Sequence, residues 1–126
     1  MVTWRAAEMP DADWDKALAA LPGANAFQTS AWARHKADSG WWPVRALTDG
    51  AAAQALVKNI PGGMRLLWSR GGPAGEPALW NAGLRETLAG AAGGLAAYGR
   101  ICSYRETDPD STAALLATGW QRPAPP

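Results

Sequence analysis

The chain carries a single cysteine, Cys102, among its 126 residues. One thiol excludes an internal disulfide and a metal centre built from thiolates, and it fits a reducing compartment, the cytoplasm by default. An excess of one charge is also missing. Twelve basic and eleven acidic side chains leave a net charge of +1, interspersed along the whole length, which argues against a broad electrostatic footprint for nucleic acid. No window of about 18 apolar residues could span a bilayer, and Met1-Val2-Thr3-Trp4-Arg5 lacks the charged segment and apolar run of a signal peptide. The one histidine, His35, has no Asp or Ser partner at a recognisable spacing, so a surface helix position is its reading. There is no internal repeat and no charge block. The length suffices for one core and is too short for two, so residues 1–126 are read as a single domain or part of one. Tryptophan, by contrast, is abundant: eight residues, for which core packing is the first expectation and ligand stacking the second.

The stretch from Met64 to Leu88 organises the rest. Met64-Arg65-Leu66-Leu67-Trp68-Ser69 is apolar enough for a buried strand, and Arg70-Gly71-Gly72-Pro73-Ala74-Gly75 follows as a glycine-rich turn. Glu76 and Pro77 suit the first turn of a helix whose inward stripe is Trp80, Leu84, Leu88, Ala91 and Leu95. Such a turn can aim unpaired backbone N–H groups at an anion, or it can simply connect two elements. Its glycines match neither a P-loop nor a dinucleotide fingerprint, and no Lys-Ser/Thr pair closes it, so nucleoside triphosphate chemistry is not expected.

Around this stretch the chain alternates. Thr3 to Ala7 reads as a short strand. Asp11 or Asp13 can cap a helix bearing Trp14, Leu18 and Leu21, and Pro22-Gly23 ends it. Thr29 or Ser30 can cap a second helix, Ala31 to Asp38, stopped by Ser39-Gly40. Trp41 to Thr48 and Ala53 to Ile60 read as a hairpin about Asp49-Gly50, and Pro61-Gly62-Gly63 turns the chain into the Met64 strand. After the helix, Tyr98 to Arg105 is a strand that a helical crossover lays parallel to the Met64 strand. Asp108-Pro109 opens a last helix with Leu115 and Leu116 inward and Gly119 at its end. Trp120-Gln121-Arg122 begins another extended piece. The expected fold is α/β with a mixed sheet, and the stop at Pro123-Ala124-Pro125-Pro126 suggests a sheet lacking its last strands.

This order of elements resembles an N-acetyltransferase of the GNAT type. Gln28-Thr29-Ser30-Ala31-Trp32-Ala33-Arg34-His35-Lys36, then Gly40-Trp41, Trp68-Ser69-Arg70-Gly71-Gly72-Pro73, Asp108-Pro109 and Gly119-Trp120 resemble the first half of FemABX-type peptidoglycan-bridge aminoacyltransferases. These belong to the GNAT superfamily and are related to BioF2-like acetyltransferase domains. The resemblance implies two GNAT-like halves in tandem, with this chain as the first, acceptor-binding half. It also implies aminoacyl-tRNA as donor co-substrate, acting through a second half, and a nucleotide- or lipid-linked muropeptide as acceptor. No tightly bound cofactor is implied. The turn at Arg70 departs from the acetyl-CoA signature of ordinary GNAT enzymes, because Pro73 stands where an amide donor would be wanted. A stand-alone acetyl-CoA-dependent transferase is the second reading, and a non-catalytic GNAT-like binding module the third.

The candidate residues follow. Lys36, one turn after Trp32 on the same helix face, either carries its ammonium past the tryptophan to water or delivers it into a cleft. In the family, the matching lysine binds precursor phosphates. Arg70 can pair with a phosphate or carboxylate as a planar fork, or with a helix-end carboxylate. Asp108 has a full explanation as a helix cap, while the resemblance makes it, or Glu106, the base for the attacking amine. Cys102 reads as an inert small hydrophobe, and no metal ligation is expected.

Overall fold

The turns at Asp49-Gly50 and Pro61-Gly62-Gly63 fold the middle of the chain into the meander its alternation predicts. A computed structural model of the chain describes residues 3–76, 79–80, 82–93, 95–102, 109–117 and 119–121. The elements are β1 (Arg5–Ala6), α1 (Asp11–Ala19), a 3-10 turn (Ala26–Gln28), α2 (Ser30–Ala37), β2 (Trp42–Thr48) and β3 (Ala51–Ile60), then β4 (Met64–Arg70), β5 (Ala74–Gly75), α3 (Ala82–Ala92), β6 (Leu95–Cys102) and α4 (Pro109–Ala117). The sheet runs β1-β2-β3-β4-β6, and β5 pairs with β3 beyond the end of β4. All pairs are antiparallel except β4 with β6, which the α3 crossover makes parallel. The expected mixed sheet is therefore present.

Alternation along the strands sends odd and even positions to opposite faces. Val44 and Ala46 of β2, Ala51, Ala53, Ala55 and Val57 of β3, and Leu67 of β4 face α3 and bury against Trp80, Leu84, Leu88, Ala92 and Trp4. The alanines matter here: small strand side chains leave room for Leu84, which is fully buried. The opposite face takes α1, through Trp14 against Leu47 and Ala52.

Several local expectations shift. Asp11 and Asp13 do not cap α1; Pro10 precedes the helix with no side-chain cap bond, and both carboxylates lie in the first turn. Thr29 does cap α2, its hydroxyl accepting from Trp32 N at 3.3 Å, and Asp15 adds a second acceptor for Ser30 N at 2.9 Å. The largest shift concerns α3. It is described over Ala82–Ala92, and Ala74 and Gly75, ahead of the expected start, pair with Ala52 and Ala51 of β3, while Pro77 lies outside the described residues. Gly75 makes that approach with φ +102°, where a Cβ would lie 2.1 Å from the Gly50 carbonyl oxygen. The inward stripe continues from Leu88 to Ala92, one full turn on, so Ala91 is exposed. Leu95 belongs to β6, which starts before Tyr98. In α4, Pro109 takes the first helical position as expected and Leu115 packs on the core. Leu116 is 47% exposed, since consecutive helical residues cannot share a face. Trp120 and Gln121 are not in a strand. Glu106 and Asp108 lie outside the described residues, as do Ser103 to Arg105 of the expected strand. No helix among the described residues is long and apolar enough to cross a membrane.

Candidate functional site

Polar side chains are buried where β4 parts from β3. Gln28, with 0% exposure, accepts from Gln54 N through Oε1 at 2.8 Å. Its Nε2 donates to Gln54 O at 3.0 Å, to Arg70 O at 2.7 Å and to Ser69 Oγ at 3.3 Å. Ser69 Oγ in turn donates to Gln54 O at 2.7 Å, and Gln54 Nε2 donates to Thr29 O at 2.9 Å. Trp14 Nε1 donates to Gln28 O at 2.8 Å, which ties this cluster to α1. Every buried amide here has a partner, as burial demands.

The turn after β4 is locked by the same elements. Asn25 Nδ2 donates to Gly71 O at 2.6 Å, and Gly75 N donates to Pro22 O at 2.8 Å. A Cβ on Gly71, whose φ is +72°, would sit 2.3 Å from Asn25 Oδ1. The side of this turn that could have met an anion is thus filled by Asn25 and Gln28, and α3 starts beyond it. Among the described residues, this turn does not lead directly into the N-terminus of α3.

Outside this packed layer lies a half-buried aromatic surface. Phe27 and Trp32 meet edge-to-face with ring centres 4.8 Å apart, and Trp41 and Trp68 are tilted together at 5.8 Å. Cations lie over these rings. The Arg70 guanidinium is 4.0 Å from the centre of Phe27, 5.6 Å from Trp32 and 5.9 Å from Trp68. Lys36 Nζ lies 5.0 Å from Trp32, and Lys58 Nζ lies 5.5 Å from Trp41. His35, exposed as expected, is tilted beside Trp32 at 5.6 Å. Three positive groups thus converge on four π faces. Such a surface can hold phosphate oxygens by charge and a flat or apolar ligand part by stacking.

The structure brings Trp32, Lys36 and Arg70 together, as three of the candidate residues would require. Lys36 does not simply run past a core tryptophan, because Trp32 is itself half-buried and its ring faces this surface. Sequence reasoning passed over Phe27, Trp41, Lys58 and Trp68. A signal for the last three was present: the Asp49-Gly50 turn sets the register Trp42↔Val57 and so Trp41 beside Lys58, while Leu56↔Trp68 puts Trp68 and Arg70 on the same sheet face. Of the eight tryptophans, Trp4, Trp14 and Trp80 are buried, and the other five are half-buried. Core packing accounts for only the first three outright.

An ion-pair chain flanks the site. Arg45, 9% exposed, donates from Nε to Gln54 Oε1 at 2.9 Å and from Nη1 to Asp11 Oδ1 at 3.0 Å, with its guanidinium over Trp14 at 5.3 Å. Arg34 Nη1 reaches Asp11 Oδ2 at 3.0 Å. The hydrogen bond from Arg45 holds the Asp11 carboxyl below its ordinary value, against a smaller upward push from burial and with help from the charges of Arg45 and Arg34. Among the described residues, no group of three or more His, Cys, Asp or Glu is placed to hold a metal ion.

No protein-family model matches the chain, and no curated protein matches it. Among solved structures, the crystal structure of FemX aligns with 91% of this chain at a TM-score of 0.76 and 22% identity. The fold is FemX-like. The chain spans about 31% of the length of FemX, so the likeness describes one part of that larger protein. It bears out the fold that the resemblance to FemABX-type proteins implied for this chain.

Proposed function

We propose that this chain is the acceptor-binding domain of a Fem-type peptidoglycan-bridge aminoacyltransferase, and that the Phe27-Trp32-Trp41-Trp68 surface receives a phosphate-linked muropeptide. The observation that carries the reading is the convergence of Lys36 and Arg70 on the Trp32 ring. The FemX-like fold supports it. Lys36 and Arg70 bind the acceptor phosphates, Arg70 as a fork and Lys36 as a point charge. Trp32 supplies an apolar wall that keeps both cations from spreading into solvent. The donor is aminoacyl-tRNA, held by a second half in a cytoplasmic enzyme.

The reaction this serves is acyl transfer. The acceptor amine attacks the ester carbonyl of the donor, an amide bond forms, the C–O bond to the tRNA 3′ end breaks, and the amine proton passes to a carboxylate and from it to the departing ribose oxygen, which leaves as the hydroxyl. Asp108 or Glu106 is the carboxylate in this reading. Because the ester already carries a reactive acyl group, the main contribution of the domain is alignment of the amine.

The test is a titration of the chain with a nucleotide-linked muropeptide, read by the thermal midpoint, which a ligand of the folded state raises. The expected result is an upward shift that Lys36→Ala and Arg70→Ala each reduce. A charged hydrogen bond is worth about 1.5–3 kcal/mol, which predicts affinity losses of roughly tenfold to a hundredfold. A midpoint unmoved by the muropeptide but raised by acetyl-CoA would replace this reading with the acyl-CoA-dependent one.

A further inference from the structure

The ladder between β3 and β4 ends at Leu56↔Trp68, and β3 finds its next strand partner on that side only at Ala52↔Ala74. The backbone N–H and C=O of Gln54 fall in this gap. Both are taken by one side chain: Gln54 N donates to Gln28 Oε1, and Gln28 Nε2 donates to Gln54 O. A carboxamide that accepts from and donates to the same residue reproduces the pairing of a neighbouring strand. The same Nε2 donates to Arg70 O at 2.7 Å. The last residue of β4 is therefore stitched to β3 through Gln28 rather than through the sheet.

We infer that Gln28 is the positioning residue of the aromatic–cationic surface: its amide stands in for a missing strand and sets where Arg70 leaves the sheet. The guanidinium of Arg70 then falls over Phe27, Trp32 and Trp68. Three features hold the amide itself. Its own backbone carbonyl accepts from Trp14 Nε1 at 2.8 Å. Gly72 lies against it so closely that a Cβ there would be 2.4 Å from Oε1. A reversed amide would set its NH2 against Gln54 N–H, so the pairing permits one orientation. In the Gln28-x-x-x-Trp32-x-x-x-Lys36 pattern, the first residue thus faces the protein and the other two face the surface. Gln28 also covalently precedes the Thr29 cap of α2, so one residue registers β4 and the helix that carries Trp32 and Lys36 against each other.

The test separates this role from a general contribution to stability. In Gln28→Met, which keeps the volume and removes the pairing, the Arg70 Hε resonance, displaced by the ring currents of its three aromatic neighbours, should move toward the position of a free arginine. The indole resonances of Trp4 and Trp80, on the other face of the sheet, should stay. An Arg70 signal unmoved in the folded variant would overturn the inference. The ligand arm rests on the proposed function. There, Gln28→Met should weaken muropeptide binding about as much as Arg70→Ala, and the double variant no further, whereas additive losses would overturn it. Failure of the wild-type chain to bind muropeptide would reject the proposed function and leave the resonance arm to decide the role of Gln28. If Gln28→Met does not fold, the wild-type protein decides: the Gln28 side-chain amide protons should be protected from exchange and show coupling through the hydrogen bond to the Gln54 or Arg70 carbonyl carbon. Exchange of those protons at the solvent rate would overturn the inference.

Discussion

The two faces of the sheet solve different problems. The buried part of the face toward α3 is apolar, with alanines on the strands and Trp80, Leu84 and Leu88 above them, and its polar side chains Asn59 and Arg65 sit at the end of the sheet. The face toward α1 and α2 combines a small apolar cluster, Trp14, Leu47 and Ala52, with the buried polar chain Arg45-Gln54-Gln28, which the exposed Asp11 extends to the surface, and the cation-bearing aromatic surface. Apolar burial is non-directional, so the α3 face tolerates small displacements of its partners. Hydrogen-bonded amides are directional, so the other face holds its side chains to one geometry. A ligand surface needs the second property, and stability draws mainly on the first.

Substitutions can break or sharpen this contrast. The largest effect is expected from Leu84→Ala. Removing a fully buried leucine side chain costs about 2–5 kcal/mol, measured by chemical denaturation, while the folded fraction should keep its affinity for muropeptide. Loss of affinity as well would show that the two faces are not independent. Gly72→Ala comes next, because its methyl would meet Gln28 Oε1 at 2.4 Å. Overpacking of this kind costs about 1–3 kcal/mol, and here the affinity should fall with stability, since the displaced group is the amide that holds Arg70. Lys36→Ala should reverse the pattern of Leu84→Ala, with stability within about 0.5 kcal/mol of wild type and a clear loss of binding. The smallest effect concerns Asp11. Its carboxyl is held below the ordinary 3.8, chiefly by the Arg45 hydrogen bond. The stabilisation it brings is therefore complete above that value and is lost as the pH falls below it, through the lower native value. Acid titration of the unfolding midpoint should be less steep in this range for Asp11→Asn than for wild type, and identical slopes would remove Asp11 from the ion-pair chain.

Much of the architecture was legible from local chemistry. Asp49-Gly50 and Pro61-Gly62-Gly63 marked the meander, Thr29 marked the start of α2, and Pro109 marked that of α4. Each acts within a few residues of itself, so no distant contact was needed to read it. The start of α3 was not legible in this way. Nothing local in Ala74 and Gly75 announces a strand, because their pairing with β3 is a contact between distant segments, and it carries the chain along the sheet ahead of the helix. Leu116 was misplaced for another reason: two adjacent leucines offer no period by which to choose the inward one. The candidate site was half visible. Trp32, Lys36 and Arg70 stood out through the resemblance, whereas Gln28, in the same motif, carried no assigned role and gains one only where β3 and β4 diverge.

The sequence by itself determined the order of the main strands and helices, the turns of the meander and the apolar character of the α3 stripe, because propensity, turn geometry and side-chain period are local properties. Only the tertiary structure decided what the polar and aromatic residues do. Gln28 reaches Gln54 and Arg70 across 26 and 42 positions of chain, and Arg70 reaches Phe27 across a similar distance. Those meetings depend on how α2 seats against the sheet, which is a property of the packed whole rather than of any segment.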